Sequence, residues 1–139
     1  MTKEEELSRY LTQIEQYKEQ INTLEMQSSY IQAAIVDYNK AKVTLENLGN
    51  ADKENDVLIP IGGSTFINAK ATDTSKALFD IGSGIVVEKD FEDAIKKIDK
   101  RVEDLQKTQD SINNMVQSLQ DEAAAISEKA QQIYQEQRE

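Results

Sequence analysis

Gly62-Gly63-Ser64-Thr65 is the stretch of this chain that most nearly resembles a ligand-binding motif, because glycines bring backbone N–H groups close to a phosphate. The chemistry it would need is absent. The spacing is not that of a Walker loop, no Lys precedes the Ser or Thr, and no helical pattern follows. Gly62-Gly63 is read instead as a hairpin turn, and so is Gly82-Ser83-Gly84. The chain has neither His nor Cys, which removes the usual general base, the thiolate nucleophile, disulfides and His or Cys zinc ligands. Ser, Lys and paired carboxylates could still do acid–base or nucleophilic work. No spacing gathers them, and the many Asp and Glu residues lack the loop pattern of a calcium site. The sequence therefore implies no enzyme, no catalytic residue, no metal and no cofactor.

The composition points away from other functions as well. Sixteen cations against 26 carboxylates give a net charge of −10, which opposes binding to nucleic acid or to an anionic membrane surface. With 38% hydrophobic residues, 30% charged residues and no Trp, little apolar material is available for a spherical core. Such a composition suits helices that each bury one narrow stripe. No secretory leader and no membrane-spanning run is visible, so a cytoplasmic protein is expected.

Two long segments carry such a stripe. From about Glu4 to Leu48, one seam set is Leu7, Ile14, Ile21, Ser28, Ile35 and Lys42, and the other is Tyr10, Tyr17, Leu24, Ile31, Tyr38 and Leu45. From about Lys89 to Gln137, the sets are Phe91, Ile98, Leu105, Ile112, Leu119, Ile126 and Ile133, with Ile95, Val102, Gln109, Val116, Ala123 and Ala130. A repeat of 3.5 residues kept this long predicts supercoiled helices. Gly49 stands where a C-terminal cap belongs, and Asp90 where an N-cap belongs. The division expected is residues 1–48 as a first helix, 49–88 as a β-rich assembly segment and 89–139 as a second helix, forming one structural unit.

In the middle segment, Val57–Ile61, Thr65–Ala71, Ala77–Ile81 and Ile85–Val87 fit four short strands making two hairpins. Isolated two-stranded hairpins are marginal in water, so this segment is expected to complete its sheets with other subunits. If the two helices lie antiparallel, facing residues have numbers adding to about 140. Tyr10 then meets Ala130 and Tyr17 meets Ala123, large against small, which keeps the seam volume constant. Ser28, Lys42 and Gln109 are seam positions suited to fixing register. At the chain ends, Leu11 and Tyr134 extend the apolar surface beyond the seam. That surface is either ordinary core near fraying ends or an adaptable patch for a partner.

Helix, Val57-Leu58-Ile59-Pro60-Ile61-Gly62, alternating strand, Ile81-Gly82-Ser83-Gly84-Ile85-Val86-Val87-Glu88 and helix together resemble the prefoldin family, in its archaeal-type alpha class, over essentially the whole chain. Two hairpins match the alpha class and one the beta class. The resemblance implies a mainly α fold, a long antiparallel two-helix coiled coil whose two central β-hairpins join an inter-subunit β-barrel platform. It implies an ATP-independent holdase that grips unfolded polypeptides at coiled-coil tips and delivers them to a group II chaperonin. The implied partners are prefoldin beta subunits, in a hexamer of two α and four β, together with unfolded clients and the chaperonin. Carried over by position, the client-binding tips are Leu7, Tyr10, Leu11, Ile14, Ile126, Ile133 and Tyr134. The assembly platform is Val57, Ile59, Ile61, Phe66, Ile67, Phe79, Ile81, Ile85 and Val87. The alternative is a coiled-coil scaffold or tether without holdase activity. The antiparallel register predicts that the pair Tyr17→Cys and Ala123→Cys crosslinks under mild oxidation. A pair that stayed reduced would exclude that register.

Overall fold

The computed structural model describes residues 2–50 and 55–138. It contains α1 (Lys3–Gly49), β1 (Asn55–Gly62), β2 (Thr65–Ala71), β3 (Lys76–Gly82), β4 (Ile85–Asp90) and α2 (Phe91–Arg138). Most of the polar stretch expected between the first helix and the first strand, residues 51–54, lies outside the described residues. The chain divides into two compact units. One joins residues 1–34 with 105–139, and the other comprises residues 35–104.

In the first unit, the start of α1 runs beside the end of α2. A capping box that the sequence reading missed opens α1: the Glu5 N–H donates to Thr2 Oγ1 at 3.2 Å, and the Thr2 N–H donates to Glu5 Oε2 at 3.3 Å. Glu4, Glu5 and Glu6 place negative charge at this helix N-terminus, where the macrodipole favours it. Thr12, Thr23 and Ser29 donate their hydroxyls to carbonyls four residues back, which satisfies these polar side chains inside a helix. Every seam residue of this unit is at least partly covered, and Ile112, Ala130 and Ile133 are buried.

The cross-helix contacts follow the antiparallel register. Lys3 pairs with Glu136 at 3.1 Å, and Gln109 Nε2 donates to Ser28 Oγ at 2.7 Å. The Tyr17 hydroxyl is hydrogen-bonded to Glu122, which raises its pKa above the usual tyrosine value. Gln109 also donates to Asn113 Oδ1 at 3.0 Å, yet its own Oε1 is buried without a donor. This polar layer marks one register at the expense of seam stability.

The second unit holds the α1 end, both hairpins and the α2 start. Its core is Phe91, Ala94 and Ile98. Gly49 is not the left-handed cap expected from the sequence, since it is helical and its φ is not positive. It lies against Phe91, whose ring a Cβ there would meet at 3.5 Å, an ordinary van der Waals contact. Asp90 does directly precede α2, but the Phe91 N–H is taken up by the Ser75 carbonyl at 2.9 Å. The turn before β3 is fixed by Asp73, whose Oδ1 accepts from the Ser75 N–H at 2.9 Å and the Ser75 hydroxyl at 2.6 Å. Those bonds favour the carboxylate and hold the Asp73 pKa below its usual value.

The two hairpins share one construction, offset by twenty positions. Pro60 pairs with Phe66 and Gly62 with Thr65; Asp80 pairs with Val86 and Gly82 with Ile85. Ile61 and Ile81 are thus bulged out of the ladder. The turn residues Gly63-Ser64 and Ser83-Gly84 all have positive φ, the type I′ geometry that matches the twist of antiparallel strands. Gly62 and Gly82, at φ of 104° and 123°, occupy backbone space that side chains disfavour.

Replacing the polar layer with apolar residues tests its role. Ser28→Ala with Gln109→Leu is expected to raise stability by about 1 kcal/mol, since an unsatisfied buried oxygen is removed. Thermal denaturation reads that gain, and loss of a single register appears as disulfide formation between cysteines placed one heptad out of step.

Candidate assembly and client-binding surfaces

The hairpins expose far more apolar surface than two-stranded ribbons can carry alone. In β1–β2, Val57, Ile59, Ile67, Ala69 and Ala71 share one face, and Leu58, Pro60 and Phe66 the other, by alternation along the strands. Val57, Ala69 and Ala71 are half-buried at the base, while Ile59 and Ile67 toward the turn are exposed. Leu58, Ile61 and Phe66 are 64%, 60% and 56% exposed. Neither face of this hairpin is closed.

The second hairpin has a covered and an open face. Ala77, Phe79, Val87 and Lys89 alternate onto one face and are all half-buried. Leu78 and Val86, on the opposite face, are exposed, and Leu78 reaches 78%. Ile81 and Ile85 beside the turn are exposed too. Of the nine platform residues expected from the sequence, Ile59, Ile61, Phe66, Ile67, Ile81 and Ile85 are exposed, and Val57, Phe79 and Val87 are half-buried. Leu58, Leu78 and Val86 are exposed as well and were not among the nine. Strand alternation could have found Leu78 and Val86, which stand out of phase with Phe79 and Val87.

The covered face is held by a residue that the seam pattern does not single out. Arg101 of α2 lies over the Phe79 ring at 4.5 Å and 5.7 Å from the Tyr38 ring centre. Its guanidinium donates to the Tyr38 hydroxyl at 3.0 Å and to the Asp80 carbonyl at 2.8 Å. One planar cation therefore ties β3 to both helices. Close by in the chain, Lys42 pairs with Asp99 at 2.7 Å, and this contact raises the Lys42 pKa. Lys42 thus occupies a seam position by reaching out to a carboxylate on the partner helix.

At the chain ends, the seven expected tip residues differ in availability. Leu11 and Tyr134 are 53% and 52% exposed. Leu7, Tyr10, Ile14 and Ile126 are half-buried, and Ile133 is buried in the seam. Leu7 and Leu11 line a shallow groove of about 380 Å³ with Glu4, Ser8, Thr12 and Glu15. Arg138 stacks over Tyr134 at 5.4 Å. No group of His, Cys, Asp or Glu among the described residues could hold a metal ion.

A family model described as prefoldin subunit matches residues 17–136, which span both helices and both hairpins. The chain belongs to the prefoldin family. It is 32% identical to prefoldin subunit alpha of Methanococcus aeolicus over 132 residues, covering 95% of this chain and 87% of that one. It is 27% identical to prefoldin subunit alpha of Methanobrevibacter smithii, over 96% of this chain and 90% of the relative. The solved structure of filamentous PFD from Methanocaldococcus jannaschii has the same fold, with a TM-score of 0.60 at 21% identity over 91% of this chain and 98% of that one. These matches place it in the alpha class, as a chaperone subunit built from coiled-coil helices and two hairpins. Prefoldin is a chaperone family and not one of enzymes.

Arg101→Ala should loosen the second hairpin by about 2 kcal/mol, the scale of hydrogen bonds from a charged donor. Amide exchange is expected to accelerate in β3–β4 and stay unchanged in β1–β2. Arg101→Lys should fail to restore protection, because an ammonium cannot stack on Phe79 while bridging both oxygens.

Proposed function

We propose that this chain is the alpha-class subunit of an ATP-independent holdase that grips non-native polypeptides with the ends of its helices and hands them to a group II chaperonin. The observation that carries the reading is the exposure of Leu11 and Tyr134 at the chain ends of an acidic prefoldin helix pair. Leu7, Tyr10, Ile14, Ile126 and Ile133 add to this surface when the seam opens, and the small seam residues Ala123 and Ala130 contribute little apolar area of their own to resist opening. Several weak apolar contacts on separate arms hold many sequences reversibly through avidity. Net negative charge keeps those surfaces from joining one another.

The hairpins are the assembly surface in this reading. Their open faces pair with beta-class subunits, giving a hexamer of two α and four β around a β-barrel platform. Val57, Ile59, Ile61, Phe66, Ile67, Phe79, Ile81, Ile85 and Val87 contribute to it, with Leu58, Leu78 and Val86 added on the strength of their exposure. Arg101 holds Phe79 and β3 in place for that contact. The setting is cytoplasmic, in keeping with a chain that has no cysteine and, among the described residues, no helix long and apolar enough to cross a membrane.

Light scattering from a denatured client diluted into the assembled complex without ATP tests the tips. Leu11→Ser with Tyr134→Ser should leave assembly intact on size-exclusion chromatography and cut protection against aggregation several-fold. Equal protection by wild type and variant would refute tip binding. Protection by neither complex would favour the tether.

A further inference from the structure

Away from the tips and the hairpins, the first unit has a stretch unlike the rest of the molecule. From Gln20 to Ala34, α1 carries one charge, Glu25, and α2 carries none from Ser111 to Gln120. The antiparallel register sets these stretches side by side, as the Gln109–Ser28 hydrogen bond shows. In a chain that is 30% charged, this leaves a neutral band partway along the helix pair. The residues that replace the charges are adaptable and apolar as well as polar. Met26, Tyr30 and Met115 are 60%, 72% and 52% exposed.

Within the band, a groove of about 1040 Å³ runs between the helices. Leu24, Leu119 and Met115 supply its apolar lining, and Glu19 is its one charged residue. Both seam leucines are only half-buried, so this flank lacks the long charged side chains that commonly shield a coiled-coil seam. Methionine recurs at promiscuous binding surfaces because its thioether chain adapts to differently shaped partners.

The surroundings select the occupant. Residues 2–34 and 105–138 contain eleven carboxylates and six Lys or Arg. Glu15 and Glu19 on α1, and Asp110, Asp121 and Glu122 on α2, flank the neutral band and outnumber the flanking cations Lys18 and Lys107, and Glu25 stands within it. A second copy of this acidic chain would bring like charges together at both ends of the groove. A basic segment meets opposite charge there while its apolar residues enter between Leu24, Met115 and Leu119.

We propose that this groove is a second polypeptide-binding site, which takes an amphipathic helical segment carrying Lys or Arg beside its apolar stripe. This inference rests on the reading of the arms as holders of non-native chains, and assigns them a contact point distinct from the tips. A bound chain would then span tip and groove on one arm, and its basic amphipathic stretches would be retained preferentially.

Fluorescence anisotropy with the full-length protein tests the site, using a fluorescein-labelled Leu/Lys amphipathic peptide of about five helical turns and its Leu/Glu counterpart. The Leu/Lys peptide should bind, and the Leu/Glu peptide at least tenfold more weakly. Met115→Ser should weaken Leu/Lys binding about tenfold, and Glu19→Gln about threefold. Met115→Leu should retain binding, and unchanged helicity by circular dichroism shows that each variant is folded. The tip variant Leu11→Ser with Tyr134→Ser should bind within twofold of wild type. Survival of peptide binding in that variant supports the groove whatever its protection against aggregation, so the two readings fail separately. Equal binding of the two peptides, or groove variants that bind like wild type, would overturn the proposal.

Discussion

A seam between two helices covers only one stripe on each, and this limit shapes the molecule. Among the described residues, α1 buries none, and the buried apolar residues all lie on α2. Hydrophobic burial per residue is therefore small, and stability has to come from length and register rather than from a deep core. The polar contacts across the seam suit this situation. Lys3–Glu136 and Ser28–Gln109 in one unit, and Lys42–Asp99 and Tyr38–Arg101 in the other, are satisfied together in a single antiparallel alignment. A slip by one heptad would break all four.

The same limit explains why the protein exposes so much apolar surface. The hairpins have too few strands to enclose a core, so Leu58, Leu78 and their neighbours face outward. The Arg101 contacts cover one face of the second hairpin, and the strands are left to find other partners with the rest. Surfaces of this kind invite pairing with another chain. The net charge of −10 works against indiscriminate association, and apolar patches separated by charged helix faces remain available without merging into one sticky surface.

Much of this was legible in the residues. Every seam position read from the heptads is at least half-buried, because a helix paired along one stripe hides the residues on that stripe whatever the details. The four strands and two turns followed from Gly62-Gly63, Gly82-Ser83-Gly84 and the alternation around them, since local sterics govern such turns. The misreadings are local too. Gly49 looked like a cap, whereas it is the last residue of α1 with ordinary helical backbone, and it lies against Phe91, 42 residues along the chain, a contact that no local pattern encodes. The exposure of the tip residues was not legible either: Ile133 is buried, and Leu11 and Tyr134 are open.

The sequence by itself determined the pattern of elements, the seam and the acidic character, because periodicity and charge are properties of residue order. Only the tertiary structure decided which apolar side chains remain uncovered and which cation locks a hairpin. Arg101 lies beside the seam as an ordinary charged residue until folding brings Phe79, Asp80 and Tyr38 around its guanidinium. The groove at Leu24, Met115 and Leu119 likewise exists only once two segments about ninety residues apart are aligned. Heptad spacing specifies what a helix hides, but what a pair of helices leaves open depends on both at once.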